Sequence, residues 1–94
     1  MSEAKPQDAS TVKGYRTLTA DDIEQMNSLK DISRNFCEQL DIERTHLSLE
    51  TVEAGSPEDG NRREAMRCLA IARTKMQEAC MWGCRAVARP DANC

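Results

Sequence analysis

The chain has 94 residues, of which 39% are hydrophobic, 31% charged and only 3% aromatic, and its net charge at pH 7 is -3. A chain of this length forms one domain with a small core, so we expect a single domain that oligomerises. With 4 glycines, 3 prolines and few β-branched residues, the composition favours helices over an all-β fold. A mean hydropathy of -0.67 argues against a membrane-spanning protein.

Charge is distributed unevenly along the chain. Residues 62–89 contain seven basic and two acidic side chains, whereas the other residues contain six basic and fourteen acidic ones. A protein that binds long nucleic acids has a broadly basic surface, which this composition does not supply. One basic helix is compatible with a compact anionic ligand.

Residues 1–12 are polar and lack periodicity, which predicts a mobile leader before a helical domain at residues 13–94. The next segment contains Gly14, Tyr15 and Arg16. Gly14 permits close approach of the backbone, and an aromatic ring among cations before a helix suits stacking on a base beside its phosphate. The alternative is that Tyr15 packs onto the long helices with its hydroxyl exposed.

Two long helices follow. Thr19 is a good N-cap, and the apolar residues after it recur at helical spacing, which predicts a helix over residues 20–41 or as far as 47. Ser56 followed by proline and two acidic residues predicts a second helix over residues 58–88. We therefore expect an all-α fold with a short N-terminal segment and two long antiparallel helices.

Alanines repeat every seven residues along the second helix. Such a seam of small residues allows another helix to approach closely. Further apolar side chains, such as Ile71 and Trp82, lie outside the seam, and one antiparallel partner cannot cover so wide a surface. We expect a helical hairpin within the subunit and further helix packing between subunits. The alanines are Ala65, Ala72, Ala79 and Ala86.

No arrangement of residues predicts catalysis or metal binding. The odd number of cysteines indicates reduced thiols, and Cys80 and Cys84, four residues apart, do not have the spacing of a zinc site. His46 is the single histidine, and its pairing with a cysteine nucleophile is less plausible than a core thiol. We expect no enzymatic activity, no metal and no cofactor.

Three cationic or polar positions are candidates for binding. Lys30 lies on the border of the apolar face of the first helix, where it either extends to water or binds an anion. Arg73 lies beside the alanine seam, and either pairs across a subunit interface or binds phosphate. Thr74 is its neighbour, for which a hydrogen bond to its own helix backbone is the alternative.

Four motifs lie in two blocks, residues 13–30 and 69–90: KGYR at residues 13–16, IEQMN at 23–27, LAIART at 69–74 and RAVARP at 85–90. Together the two blocks resemble a family of phage anti-CBASS proteins that act as sponges for cyclic oligonucleotides.

The resemblance implies a non-catalytic homo-hexamer that works in the cytoplasm of the infected bacterial host. It implies no membrane partner. It implies that the messengers of CBASS defence, such as cyclic GMP-AMP and cyclic tri-AMP, are sequestered in pockets between subunits. Tyr15 and Lys30 match the family's dinucleotide site, where they would meet a base and a phosphate, with Gly14 and Arg16 beside them. The trinucleotide site is matched by Arg73 and Thr74, with Arg67 as a further candidate.

The alternative is a helical oligomer that sequesters a host protein through its apolar faces. A thermal shift with cyclic GMP-AMP discriminates between the two functions, since only a nucleotide-binding protein is stabilised.

Overall fold

The computed structural model describes residues 16–89, which form two antiparallel α-helices without a strand. Helix α1 spans Ala20–Leu49 and helix α2 spans Pro57–Ala88. The expected leader at residues 1–12, together with Gly14 and Tyr15, lies outside the described residues. The all-α prediction with two long helices is therefore confirmed for this part of the chain.

Local side-chain chemistry starts both helices. The Thr19 hydroxyl accepts a hydrogen bond from the Asp22 N–H, and the Asp22 carboxylate accepts one from the Thr19 N–H, so that each satisfies a donor that the helix end leaves unpaired. The Ser56 hydroxyl likewise accepts a hydrogen bond from the Asp59 N–H, but the Asp59 carboxylate accepts from the Gly55 N–H rather than from Ser56. Pro57 follows at the first helical position, where its missing N–H costs nothing.

Helix α1 ends at Leu49. It is therefore longer than the expected helix over residues 20–41, and it extends two residues beyond the longer alternative, which ended at 47. The apolar pattern weakens after residue 41, but the hydroxyls of Thr45 and Ser48 bond carbonyls of the preceding turn and remain compatible with helix. Arg62 of α2 also donates to the Glu50 carbonyl. Partner contacts of this kind override a weak local pattern.

The two helices pack in antiparallel register. Arg73 Nη2 donates to the Cys37 carbonyl at 3.3 Å, and Gly83 lies against Leu29 so closely that a Cβ at Gly83 would be 3.2 Å from Leu29 Cδ1. Cys37, at 9% exposure, is the single buried hydrophobic residue in the described range. One hairpin therefore encloses almost no core.

The alanine seam turns gradually away from α1. Ala65 and Ala72 are half-buried, whereas Ala79 and Ala86 are exposed. A seven-residue repeat falls behind a straight helix by about 20° per repeat, so the later alanines leave the face that packs on α1. The seam therefore contacts α1 at one end and is available to another helix at the other.

Large apolar side chains cover the outer surfaces of both helices. Eight of them are exposed in the described range, and Trp82 is 67% exposed. Neither α1 nor α2 contains an 18-residue stretch apolar enough to cross a membrane. The eight are Ile23, Ile32, Phe36, Ile42, Leu49, Ile71, Met81 and Trp82.

Candidate ligand-binding site

A buried carboxylate joins three segments at one end of the hairpin. Asp22, 5% exposed, accepts an ion-paired hydrogen bond from Arg16 Nη1 at 2.7 Å. Arg16 Nη2 donates to the Val87 carbonyl at 2.8 Å, and Arg89 Nη2 lies 3.8 Å from the other Asp22 oxygen. We call Arg16, Thr19, Asp22, Val87 and Arg89 the Asp22 cluster.

Hydrogen bonding keeps Asp22 ionised. The Arg16 guanidinium, followed by the Thr19 backbone N–H, holds the pKa of the Asp22 carboxyl well below its usual range, against the opposing effect of burial. The same pairing raises the pKa of Arg16. Since both groups stay charged at neutral pH, the ion pair persists there. Through Arg16 it connects Asp22, at the start of α1, with the Val87 carbonyl, at the end of α2.

Lys30 lies at the edge of an apolar depression of about 480 Å³ between the two helices. The sulfur-containing side chains of Met26, Cys80, Met81 and Cys84 provide much of the lining. Lys30 and Arg85 are the charged residues in that lining, and both are cations. A mostly apolar lining that includes two cations suits a ligand that combines flat bases with phosphates.

The Cys84 thiol in this depression stays protonated at neutral pH because its pKa is raised. Burial, followed by the neighbouring Cys80, raises the pKa of the Cys84 thiol, while the charge of Lys30 has the opposite effect. A protonated thiol does not neutralise the lysine. The positive charge of Lys30 is therefore available to an anion.

Most cations of residues 16–89 are already engaged, but Lys30 and Arg44 are not. The described residues offer neither of them a hydrogen bond or a salt bridge, and the remaining Arg and Lys side chains, Arg85 among them, all have interactions. A cation without a carboxylate partner loses no ion pair when it binds phosphate. Lys30 thus has the electrostatic property that its proposed role requires.

Arg73 and Thr74 have partners within the hairpin. The Arg73 guanidinium is paired with the Asp41 carboxylate of α1, which is neither of the two arrangements considered from the sequence. The Thr74 hydroxyl donates to the Ala70 carbonyl at 3.2 Å. This backbone hydrogen bond is the alternative that the sequence left open.

Arg67 and Arg73 have different partners and do not line the same depression. Arg67 makes two hydrogen bonds to the Glu64 carboxylate one turn earlier. Arg73 instead lines a depression of about 410 Å³ between the helices, and Arg67 is not among the residues around it.

Known proteins resemble this chain in sequence over most of its length. The family model described as "Acb2/Tad1, hairpin domain" matches residues 7–88, which include both helices. The chain belongs to this family. It is also 33% identical over 91 residues to Anti-CBASS protein 2 of Enterobacteria phage T4, an alignment that covers 85% of this chain and 92% of the relative. The resemblance found in the sequence is thereby confirmed.

For this member of the hairpin family, sequence reasoning missed Arg44. Arg44 lines two neighbouring depressions of about 290 and 410 Å³, and both also contain Asp41. Arg44 stands three residues after Asp41, a spacing that suggests an ion pair within the helix. Because Asp41 pairs with Arg73 on the other helix, Arg44 is left free, and only the tertiary structure reveals it.

Within residues 16–89, no three His, Cys, Asp or Glu side chains converge in a way that could hold a metal ion. Cys80 and Cys84 are adjacent in the Lys30 depression, without a third such ligand.

Proposed function

We propose that this protein binds cyclic di- and trinucleotide second messengers without cleaving them and so blocks CBASS signalling in the cytoplasm of the infected bacterial host. The observation that carries the proposal is that Lys30, which has no ion-pair partner among the described residues, lines a depression rich in sulfur-containing side chains, in a chain of the Acb2/Tad1 hairpin family. The name of its T4 relative, Anti-CBASS protein 2, supports the same pathway.

The dinucleotide site combines Lys30 with Tyr15, and Gly14 lets the backbone approach the ligand. The geometry supports this pairing because Arg16, the residue after Tyr15, bonds the Val87 carbonyl, and Ala88 lines the Lys30 depression. The chain thus meets the hairpin at the end where Lys30 lies. Stacking of a base on tyrosine and a charge-assisted contact to phosphate then act together.

The trinucleotide site is proposed around Arg73 and Thr74. Arg73 lines the same depression as the unpaired Arg44, so two guanidinium groups face one space while Asp41 balances one of them. A ligand phosphate competes with Asp41 for Arg73 and binds Arg44 without such competition. Arg67 contributes at this site only by leaving Glu64.

Assembly into a homo-hexamer completes the proposal. A hairpin with one buried hydrophobic residue and eight large exposed ones in its described range gains roughly 1.5–3 kcal/mol for each large side chain that a second subunit fully covers. Pockets between subunits would also enclose a ligand better than the open depressions of one chain. A sponge needs many sites with slow release rather than turnover.

The first test compares Lys30→Ala with Lys75→Ala, a control that removes an exposed lysine paired with Glu78. We expect Lys30→Ala to raise the Kd for cyclic GMP-AMP about 10- to 100-fold, the scale of a lost charge-assisted hydrogen bond. Lys75→Ala should change the Kd less than about twofold. Calorimetry measures the Kd, and circular dichroism verifies that both variants are helical.

The fate of the ligand decides between function classes. After heat denaturation of the complex, mass spectrometry should recover cyclic GMP-AMP intact. A linear product would instead show hydrolysis. Absence of both binding and a thermal shift would favour the protein-sequestering module, for which the exposed apolar faces are the supporting observation.

A further inference from the structure

Sulfur atoms are unusually concentrated around the Lys30 depression. Of the described residues that line it, two are cysteines and two are methionines, and none is a histidine or a carboxylate. Thiolates and thioethers are soft ligands, which bind Cu(I) in preference to hard cations such as Mg²⁺ and Ca²⁺. The chemistry of this lining therefore favours a soft metal ion. The four residues are Met26 of α1 and Cys80, Met81 and Cys84 of α2.

The two thiols lie on the same face of α2. Cys80 and Cys84 are four residues apart in the helix, a spacing that places their Cβ atoms about 5–6 Å apart. The Cys84 thiol donates to the Met26 carbonyl at 3.9 Å, so the pair faces the first helix, and both cysteines are partly buried. The sequence predicted no metal because zinc requires four ligands. That argument does not apply to Cu(I), which two thiolates can hold in a linear arrangement.

The charges around the thiols suit such a complex. Each thiol loses its proton when it binds a metal, so Cu(I) with two thiolates carries one negative charge. Lys30 lines the same depression, and its charge acts against burial to lower the pKa of the Cys84 thiol. A cation this close offsets the negative charge of the complex. Since Lys30 has no carboxylate partner among the described residues, it loses no ion pair in doing so.

We propose that Cys80 and Cys84 form a binding site for one Cu(I) ion, with Met26 and Met81 as neighbouring thioethers and Lys30 as the balancing charge. The inference goes beyond the proposed function and does not rest on it, because it concerns the thiols of one hairpin whether or not the protein binds nucleotides.

The binding test uses the full, reduced chain and Cu(I), without oxygen, in competition with the coloured chelator bicinchoninate. We expect one Cu(I) per chain to be retained. Cys80→Ser and Cys84→Ser should each raise the Kd for Cu(I) about 100-fold, the scale of one ligand's share in a thiolate metal site. Cys68→Ser removes an exposed thiol of the same helix outside the depression and should change the Kd less than about twofold. Circular dichroism verifies that all variants are helical.

A second control tests whether the spacing of two thiols is sufficient by itself. In a chain that carries Cys80→Ser and Cys84→Ser, Ala72→Cys places a thiol four residues after Cys68. The Cys68 thiol donates to the Glu64 carboxylate at 3.7 Å, and this negative charge repels a complex that Lys30 would stabilise. We expect this second pair to bind Cu(I) at least about tenfold more weakly than the wild-type pair. Equal affinity would show that any two thiols one turn apart suffice, which overturns the assignment to the depression.

Further outcomes would also overturn the inference. A wild type that yields all Cu(I) to the chelator has no such site. Wild-type affinity in Cys80→Ser or in Cys84→Ser shows that the two thiols do not act as a pair. X-ray absorption at the copper edge should show sulfur neighbours alone, and nitrogen or oxygen neighbours would assign the ion to another place. None of these results bears on whether the protein binds cyclic GMP-AMP, so the proposed function is tested separately.

Discussion

Asp22 is an acid whose charge the fold both buries and satisfies. Arg16, the Thr19 N–H and the more distant Arg89 all face its two oxygens. Burial alone would favour the protonated acid, but the hydrogen bonds outweigh it and the pKa of Asp22 falls. The ionised form of this residue therefore stabilises the folded state.

A pH dependence follows from the lowered pKa. The unfolded chain takes up a proton on Asp22 near pH 4, whereas the folded chain does so only at lower pH. The stabilisation is therefore present above about pH 4 and is lost as the pH falls towards the folded-state pKa. Thermal unfolding of the wild type and Asp22→Asn should show a gap in Tm that is constant at pH 5–7 and narrows below pH 4.

The control for the pH dependence is Asp31→Asn, which removes an exposed carboxylate paired with Arg34. Its gap in Tm should be small at every pH, because exposed ion pairs contribute little. A gap for Asp22→Asn that widens on acidification would contradict the assigned sign.

At the residue scale, the sequence predicts contacts between residues that are close together in the chain. Thr19, Ser56 and their third-position acids are separated by three residues, and the structure has both caps as expected. The partners of Arg16 and Arg73 depend on which residues the hairpin brings together. Val87 is 71 positions from Arg16, and Asp41 is 32 from Arg73. No local pattern contains that information.

At the scale of the helices, α1 and α2 approach each other closely at Gly83. A hydrogen replaces a side chain there, and Leu29 of α1 fills the space. Glycine within a helix costs roughly 1 kcal/mol relative to alanine, so its presence is consistent with a packing requirement. The seven-residue pattern of small residues predicted a close approach of another helix, and in the structure Gly83 is a residue at which α1 approaches closely.

Gly83→Val should destabilise the hairpin by about 1–3 kcal/mol, the usual cost of overpacking. Combining it with Leu29→Ala should cost less than the two single changes together, because the smaller side chain makes room for valine. Urea denaturation measures the free energies of unfolding. Gly60→Val is the matched control, since Gly60 lies in the same helix and a Cβ added there would meet no neighbour within 4 Å. Its free energy of unfolding should stay within about 1 kcal/mol of the wild-type value.

The end of α1 shows the limit of prediction for an element. Residues 42–49 are helical although their apolar pattern is weak. Helix α2 provides the partner surface along which α1 continues, and Arg62 reaches the Glu50 carbonyl just beyond its end. The length of a helix is thus decided partly by its partner, whereas its start is decided by its own cap.

At the scale of the whole molecule, the hairpin is an elongated body of 60 × 26 × 18 Å. Such a shape has a large surface for its volume, which is why so many apolar side chains stay exposed. Trp82, Ala79 and Ala86 share one flank of α2, where small and large side chains alternate. This flank is the surface that we expect to pack against another subunit.

Ala79→Arg should break the proposed hexamer while leaving the hairpin helical. A long charged side chain prevents the close approach that alanine permits, and a buried unpaired charge is costly. Light scattering after size-exclusion chromatography should give a hexamer mass for the wild type and a lower mass for the variant.

Gln77→Arg, an exposed change on the other flank of α2, is the control and should retain the wild-type mass. An unchanged mass for Ala79→Arg would exclude this flank from the interface. A wild type with the mass of one chain would exclude the hexamer.

The antiparallel register has a consequence for how the chain folds. Contacts near the connection between the helices, such as Arg62 with Glu50, close short loops, while Arg16 with Val87 closes the longest one among residues 16–89. The entropy lost on closing a loop grows with its length, so we expect pairing to begin at the connection and to proceed towards the Asp22 cluster. We therefore expect the end of the hairpin that carries the proposed dinucleotide site to assemble last and to separate first.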